Sequence, residues 1–380
     1  MATIAVMGAG PAGCSAGYHL AKSGHQVTLI DKSCFPRDKV CGDGISLESI
    51  QALSTMGLYP QDLKKLVADY APIHQFFLGV SNQISHSEAT NLEAYCIPRF
   101  IFDQLLYEKA IEAGCVPLTQ TISKKGGHLQ RLSKEFDYLI DARGVSAGEV
   151  TAIAIRSYWI CNRLDLSGVD LTEAQIHFDH HLGVNGYGWI FPVATQGEIV
   201  KFNVGVGVWL DEYQKINANV IHLFKQFIQS NKQATHLLSK AIRQEIPKVY
   251  PLATAQKGNQ VADGNILRIG DAANLTDPLT GEGIANAILS GLYAAQAINM
   301  SRSPEVAAEN WQYLYEAHFE ADLRAGLRIK AVRKFSFMNT LLIRLMKQNP
   351  RVAVQVSHAV AGLVPYHEVL PSLRYKKSGK

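Results

Sequence analysis

Three glycines near the start of the chain have a spacing that can hold a diphosphate. Gly8, Gly10 and Gly13 form G-x-G-x-x-G in "GAGPAG". Gly8 permits a tight bend, Gly10 lets the backbone reach a pyrophosphate, and Gly13 lets the next helix pack on the preceding strand. The positive end of that helix favours phosphate charge. Asp31 lies 18 residues beyond Gly13, where a carboxylate can accept hydrogen bonds from ribose hydroxyls. A second cluster follows in "FPRDKVCGDG" (35–44), with Arg37, Lys39 and Cys41 among turn residues that include Gly42 and Gly44. A thiol there could be a redox centre, a metal ligand, a catalytic acid, or a small side chain that admits a flat cofactor. A third cluster lies in "NILRIGDAANLTDPLTGEGI" (265–284). Asp271 is placed to bind a polyol hydroxyl, and a glycine loop opens a helix.

The elements that must position these residues are legible around them. "TIAVM" (3–7) is an apolar run suited to a buried parallel strand. "CSAGYHLAKSG" has helical spacing and ends on Gly24 as a C-cap, and "HQVTLID" is the next strand. Near the other end, "NILRIGDA" is a strand and "PLTGEGIANAILSG" a proline turn, a glycine loop and a helix of small residues. Ala12, Lys32, Gly283 and Ile284 complete the candidate cofactor-contacting set. The N-terminal motif alone does not separate NAD from FAD.

In combination the motifs resemble one superfamily. "GDAA…P.TGEGI" is similar to the FAD-ribityl signature of the p-hydroxybenzoate-hydroxylase-like flavoproteins, which include aromatic hydroxylases, flavin halogenases, lycopene cyclases and geranylgeranyl reductases. That resemblance implies FAD as cofactor, Asp271 on its ribityl chain and the glycine loop against its ring. "FPRDKVCGDGIS" resembles the geranylgeranyl reductase signature, which runs beside the flavin. "GYGWIFPVATQGEIVKFNVGVGV" (186–208) resembles that family's Y-x-W-x-F-P motif and the strand after it. Alternation puts Tyr187 and Trp189 on one strand face, towards a substrate cavity. "IPRFIFDQLL" (97–106) resembles the R-x-x-F-D-x-x-L helix, and Arg99 corresponds to a residue that helps hold FAD.

Two departures sort the branches. Aromatic hydroxylases carry A-D-G where this chain has "LIDARGVSA" (139–147), with Arg143 in place of the acid. The halogenase W-x-W-x-I-P motif is missing, and Lys64 and Lys65 in "DLKKLV" read as a solvated helix face. The resemblance therefore implies an FAD-dependent oxidoreductase that reduces C=C bonds of an isoprenoid or other lipophilic substrate. The alternative is a flavin-dependent monooxygenase, epoxidase or halogenase acting on a specialised metabolite. A non-catalytic flavin or lipid carrier is a third, weaker alternative. NADPH or another reductant would supply electrons. For Cys41 two roles remain, proton donor to the alkene or small neighbour of the ring.

Composition agrees with a large enzyme core. The chain has 380 residues, 47% hydrophobic and 18% charged, with a net charge of +4 too scattered for a nucleic-acid partner. Six cysteines without a C-x-x-C pair, and no export signal, read as a cytoplasmic protein with reduced thiols. No apolar run is long enough for a membrane span. "FSFMNTLLIRLM" (335–346) could be an amphipathic helix touching a membrane, although packing against the flavin domain is the simpler reading. "HFDHH" (177–181) puts His177, Asp179 and His181 on one strand face. Surface loop histidines are the simpler reading, and no metal is expected. The tail "RYKKSGK" reads as a basic, disordered end.

The expected fold is α/β. A doubly wound FAD-binding domain is assembled from 1–60, 95–150 and 250–300. A mixed or antiparallel sheet domain from 61–94 and 151–249 roofs the flavin and holds substrate. Residues 301–380 form a C-terminal helical region. Oligomeric state is not legible.

Overall fold

A computed structural model describes residues 1–66, 69–123, 127–179, 182, 186–215, 219–333, 337–360 and 362–368. The chain forms two sheets. The smaller has six strands in the order Ala262–Asp263, Ile266–Arg268, Tyr138–Asp141, Thr3–Met7, Gln26–Asp31 and Val116–Thr119. All neighbours are parallel except the first pair. Parallel strands need crossover helices that bury both faces, which is why "TIAVM" and "YLID" are mostly apolar and almost wholly buried. Helices Pro11–Lys22, Arg99–Glu112 and Ile284–Asn299 supply the cover. Pro11 sits at the first helical turn, where its missing N–H costs nothing.

The glycine turn explains its own sequence. A Cβ on Gly13 would lie 1.7 Å from the Gly8 carbonyl oxygen, so only glycine lets this helix start so close to the strand. Gly8 itself has φ 104°, a backbone conformation that L side chains rarely adopt.

The larger sheet has nine strands. Its main path runs Ala241–Gln244, Ala152–Asn162, Ile199–Trp209, Tyr187–Ala194, Glu173–Phe178, Ala71–Val80, Ile84–Cys96 and Gly44–Ile45, and Lys248–Leu252 also pairs with Ala152–Asn162. It is antiparallel except where Ala71–Val80 meets Glu173–Phe178. One face is covered by helices Val220–Ser230 and Lys232–Lys240 over a core of Trp159, Phe202, Phe224 and Phe227. The two-residue strand Gly44–Ile45 pairs with Tyr95 and Cys96, so the C-G-D-G segment ends on this sheet.

The last helices divide between the two halves. Pro304–Tyr315 packs on Ile284–Asn299 beside the small sheet, and Trp311 donates to the carbonyls of Val261 and Arg268. Phe337–Gln348 packs through Ile343 and Met346 on Leu78 and Val80 of the large sheet. This corrects the expectation of a helix laid on the flavin domain. Its apolar spacing was visible, but the partner face depends on how the chain crosses over. His177 is a second correction. It is buried between Phe77 and Phe227, donates from Nε2 to Gln175 Oε1 at 3.0 Å, and burial pushes its pKa down to about 3. Asp179 is buried too and accepts from Ser230. His180 and His181 lie outside the described residues. Among the described residues no group of side chains could hold a metal ion, and no helix is long and apolar enough to cross a membrane.

Candidate active site

The three sequence clusters converge where the carboxyl ends of the small sheet face the large one. Asp31, at the end of its strand, accepts from Ala9 N at 2.8 Å and from Ser33 N at 2.9 Å. Its carboxylate therefore braces the glycine turn and stays partly exposed beside it. The side of Gly10 away from the sheet is open: the nearest atom a Cβ would meet is Arg37 Nη2, at 3.7 Å. Arg37 thus stands over the turn. Asp103 aims it through a 2.8 Å ion pair and also takes both arms of Arg99, at 2.6 and 2.9 Å. Burial alone would make Arg99 easier to deprotonate, but the Asp103 charge outweighs it and holds the guanidinium protonated. Ala12 is buried against Gly270, joining the two ends of the chain at the turn.

Asp271 sits across from this turn. Its carboxylate takes Thr276 Oγ1 at 2.7 Å and Lys39 Nζ at 3.4 Å. Burial would raise its pKa, but the Lys39 ammonium and these hydrogen bonds hold it below the usual carboxylate range. Pro11, Lys39, Cys41, Arg99, Asp271 and Ile284 are among the lining of a cleft of about 130 Å³, which Gly42 and Gly283 also border. Lys32 is exposed and lines neither this cleft nor the cavity next to it.

That neighbouring cavity, of about 150 Å³, is walled by the large sheet. Ile73, Phe76, Ala94, Ala174, Ile176 and Val360 give it an apolar lining, with Gly44 at one edge. Five residues border both spaces: Cys41, Gly42, Tyr187, Phe191 and Gly281. Tyr187, Trp189 and Phe191 alternate along one strand and form a row of rings 6.0 to 6.5 Å apart. Gly205 makes that row fit, since a Cβ there would lie 2.2 Å from Trp189 Cζ2. Tyr187 Oη donates to the Thr280 carbonyl, and Trp189 Nε1 donates to Asn203 Oδ1 at 2.8 Å. Burial pushes the Tyr187 phenol above its ordinary pKa, so it stays neutral.

Four polar residues of this site escaped the sequence reading. Asp43 is fully buried and accepts from Tyr158 Oη at 2.5 Å, Asn203 Nδ2 at 2.8 Å and Arg99 N at 3.3 Å. Burial outweighs those donors and pushes its pKa up to about 6. Asp103 is the second omission, and Tyr158 and Asn203 are the others. A signal existed: Asn203 interrupts an otherwise apolar strand, "FNVGVGVW", and a fully buried amide there must find partners. Lys64 is exposed and sits 5.9 Å from the centre of the Tyr95 ring; of the Lys65 side chain nothing is described. Arg143 is bound bidentately to Asp141, at 2.9 and 2.6 Å, and to the Ile122 carbonyl. It braces a strand end where the hydroxylases carry an acid.

The donor set fits a flavin dinucleotide. An open glycine turn under an arginine suits a diphosphate, a half-buried carboxylate with a lysine suits a polyol, and the cleft beyond has room for a ring against backbone. Comparison with known proteins agrees. Residues 1–125 match the family model described as FAD binding domain. The chain is an FAD-dependent oxidoreductase. It is similar to the digeranylgeranylglycerophospholipid reductase of Methanosarcina acetivorans, with 26% identity over 368 residues, covering 88% of this chain and 84% of that protein. Among solved structures it resembles a geranylgeranyl bacteriochlorophyll reductase-like protein from Thermoplasma acidophilum, with TM-score 0.70 and 21% identity over 98% of both chains. A flavin-dependent brominase is equally near in fold, with TM-score 0.71 and 19% identity over 97% of both. The flavoprotein thus shares its fold with a reductase-like protein and a halogenating enzyme alike, and fold alone does not choose its chemistry.

Proposed function

We propose that this flavoprotein reduces carbon–carbon double bonds of an isoprenoid or other lipophilic substrate. The observation that carries the reading is the apolar cavity that meets the cleft at Cys41, Gly42, Tyr187, Phe191 and Gly281. A hydrocarbon chain in that cavity would bring an alkene to the junction with little polar surface to desolvate. FAD bound in the cleft would supply the hydride chemistry, with NADPH or another reductant restoring it.

The chain's own part is to bind, orient and protonate. Gly8, Gly10, Gly13 and Arg37 would hold the diphosphate, Asp31 and Asp271 the hydroxyls, and Gly283 and Ile284 the ring edge. Ala12, Lys39, Gly42, Gly44 and Arg99 would frame the same site, while Lys32, exposed outside both spaces, is left out of it. Tyr187 and Trp189 would form the wall against the alkene. Of the five residues at the junction, Cys41 and Tyr187 alone carry a protic side chain, and Tyr187 commits its proton to Thr280. Cys41 is therefore assigned as the donor of the proton that completes the C–H pair.

Contact with a membrane surface belongs to the same reading. Phe337, Leu341 and Leu345 recur every four residues on the outer face of their helix, exposed at 60%, 41% and 43%. Arg344, Lys347 and Arg351 are exposed beside them, as an anionic bilayer would require. The test of the reaction is anaerobic. Pre-reduced flavoprotein mixed with prenylated lipids should reoxidise as each double bond gains two hydrogens, and a strict need for oxygen would overturn the reading.

A further inference from the structure

The loop that carries Cys41 is tied to the large sheet at two points, and the inner tie reaches the thiol's own backbone. At the outer point Asp38 accepts from Arg156 and Lys248, both at 2.6 Å. At the inner point Asp43 accepts from Tyr158 and Asn203 on neighbouring strands. The Arg156 guanidinium lies 3.9 Å from the Tyr158 ring centre and joins the two points. Asn203 is then fully used. One Nδ2 donates to both Asp43 and the Cys41 carbonyl, the latter at 2.6 Å, and Oδ1 accepts from Trp189. Asp43 has φ 65°, a left-handed conformation that asparagine and aspartate accept more readily than other L residues. That turn brings its carboxylate to the same Asn203 amide that holds the Cys41 carbonyl.

We propose that Asp43 is the positioning residue for Cys41. By fixing the Asn203 amide, it holds the Cys41 carbonyl and the Trp189 indole in one hydrogen-bonded chain, so loop and sheet form a single wall. The proposal rests on the reductase reading only for what Cys41 does, not for how Cys41 is held. An apolar residue could not serve, since Tyr158 and Asn203 would be left as buried donors without an acceptor. Tyr158 and Asn203 converge on Oδ2 and the Arg99 backbone N–H meets Oδ1, so asparagine at 43 keeps one acceptor oxygen and turns its own N–H groups towards the donors on the other side.

The test separates the holding of the thiol from its use. In FAD-loaded protein carrying Cys34→Ser, alkylation of Cys41 by N-ethylmaleimide is followed by peptide mass spectrometry. Asp43→Asn should raise the rate at least fivefold, and Tyr158→Phe, which removes one donor and little volume, two- to fivefold. If Asp43→Asn fails to fold, Tyr158→Phe decides alone. Unchanged rates overturn the proposal. Turnover supplies the second readout: Asp43→Asn should lower kcat at least tenfold with KM within threefold, and add nothing in a Cys41→Ser background. A faster alkylation rate with full activity in Cys41→Ser would keep the positioning role and discard Cys41 as proton donor.

Discussion

At the scale of single residues, the site depends on a few buried charges whose partners are fixed. Cys41, a half-buried thiol among them, is the residue most directly tested. Cys41→Ser should keep FAD content and lower turnover at least tenfold, because a hydroxyl donates a proton far less readily than a thiol. Undiminished turnover would make the thiol a small packing residue. Glu48 yields a pH prediction. Burial, then the charges of Glu282, Asp322 and Asp277, push its pKa from about 4.5 to about 8. A carboxyl raised on folding favours the native state below its unfolded pKa, and that contribution is lost as pH rises through the folded one. Thermal stability should therefore fall between pH 5 and pH 8.5. Glu48→Gln should fall less, standing higher relative to the parent at pH 8.5 than at pH 5. Parallel Tm curves for the two proteins would contradict this. Glu48 was not legible beforehand, since its shift comes from burial and from carboxylates that only the fold gathers.

At the scale of elements, local chemistry made some pieces readable and left others silent. The first strand, glycine turn and helix were readable because their residues act on near neighbours in sequence. The strand is an apolar run, the turn is open at Gly10, and Gly13 touches the turn it follows. The strand carrying Tyr187 and Trp189 was readable by alternation. The docking of Phe337–Gln348 was not, because an amphipathic period says which face is apolar and not what covers it. Its inner face takes the large sheet, and its outer stripe of Phe337, Leu341 and Leu345 is exposed, the face proposed above for a bilayer. Leu341→Glu with Leu345→Glu should reduce co-sedimentation with phosphatidylglycerol vesicles at least tenfold and shift Tm by no more than about 2 °C, as expected for exposed sites. A parent protein that fails to bind such vesicles would remove the membrane contact from the account.

At the scale of the molecule, the site is a seam between two sheets made from distant parts of the chain. The resemblance supplied the FAD chemistry, and the paired glycine motifs at residues 8–13 and 281–283 supplied its position. The Asp43, Tyr158 and Asn203 contacts join residues 115 and 160 positions apart, so no local pattern announces them. The smaller sheet draws its strands from within 3–31, 116–141 and 262–268, and the larger mainly from 71–96, 152–209 and 241–244, with two exceptions. Gly44–Ile45 and Lys248–Leu252 both pair into the larger sheet. Those exceptions matter, for they bring the Cys41 loop and the Tyr250 strand to the cleft. The central claim is that this seam delivers two hydrogens to an alkene. The most direct measurement is a single turnover without oxygen. Flavoprotein is reduced by dithionite, freed of excess reductant and mixed with a geranylgeranyl lipid, and flavin absorbance and lipid mass are followed together. The account predicts recovery of oxidised flavin in step with a gain of two hydrogens per flavin. Flavin that stays reduced until oxygen is admitted, with oxygen or halogen then appearing in the product, would contradict it.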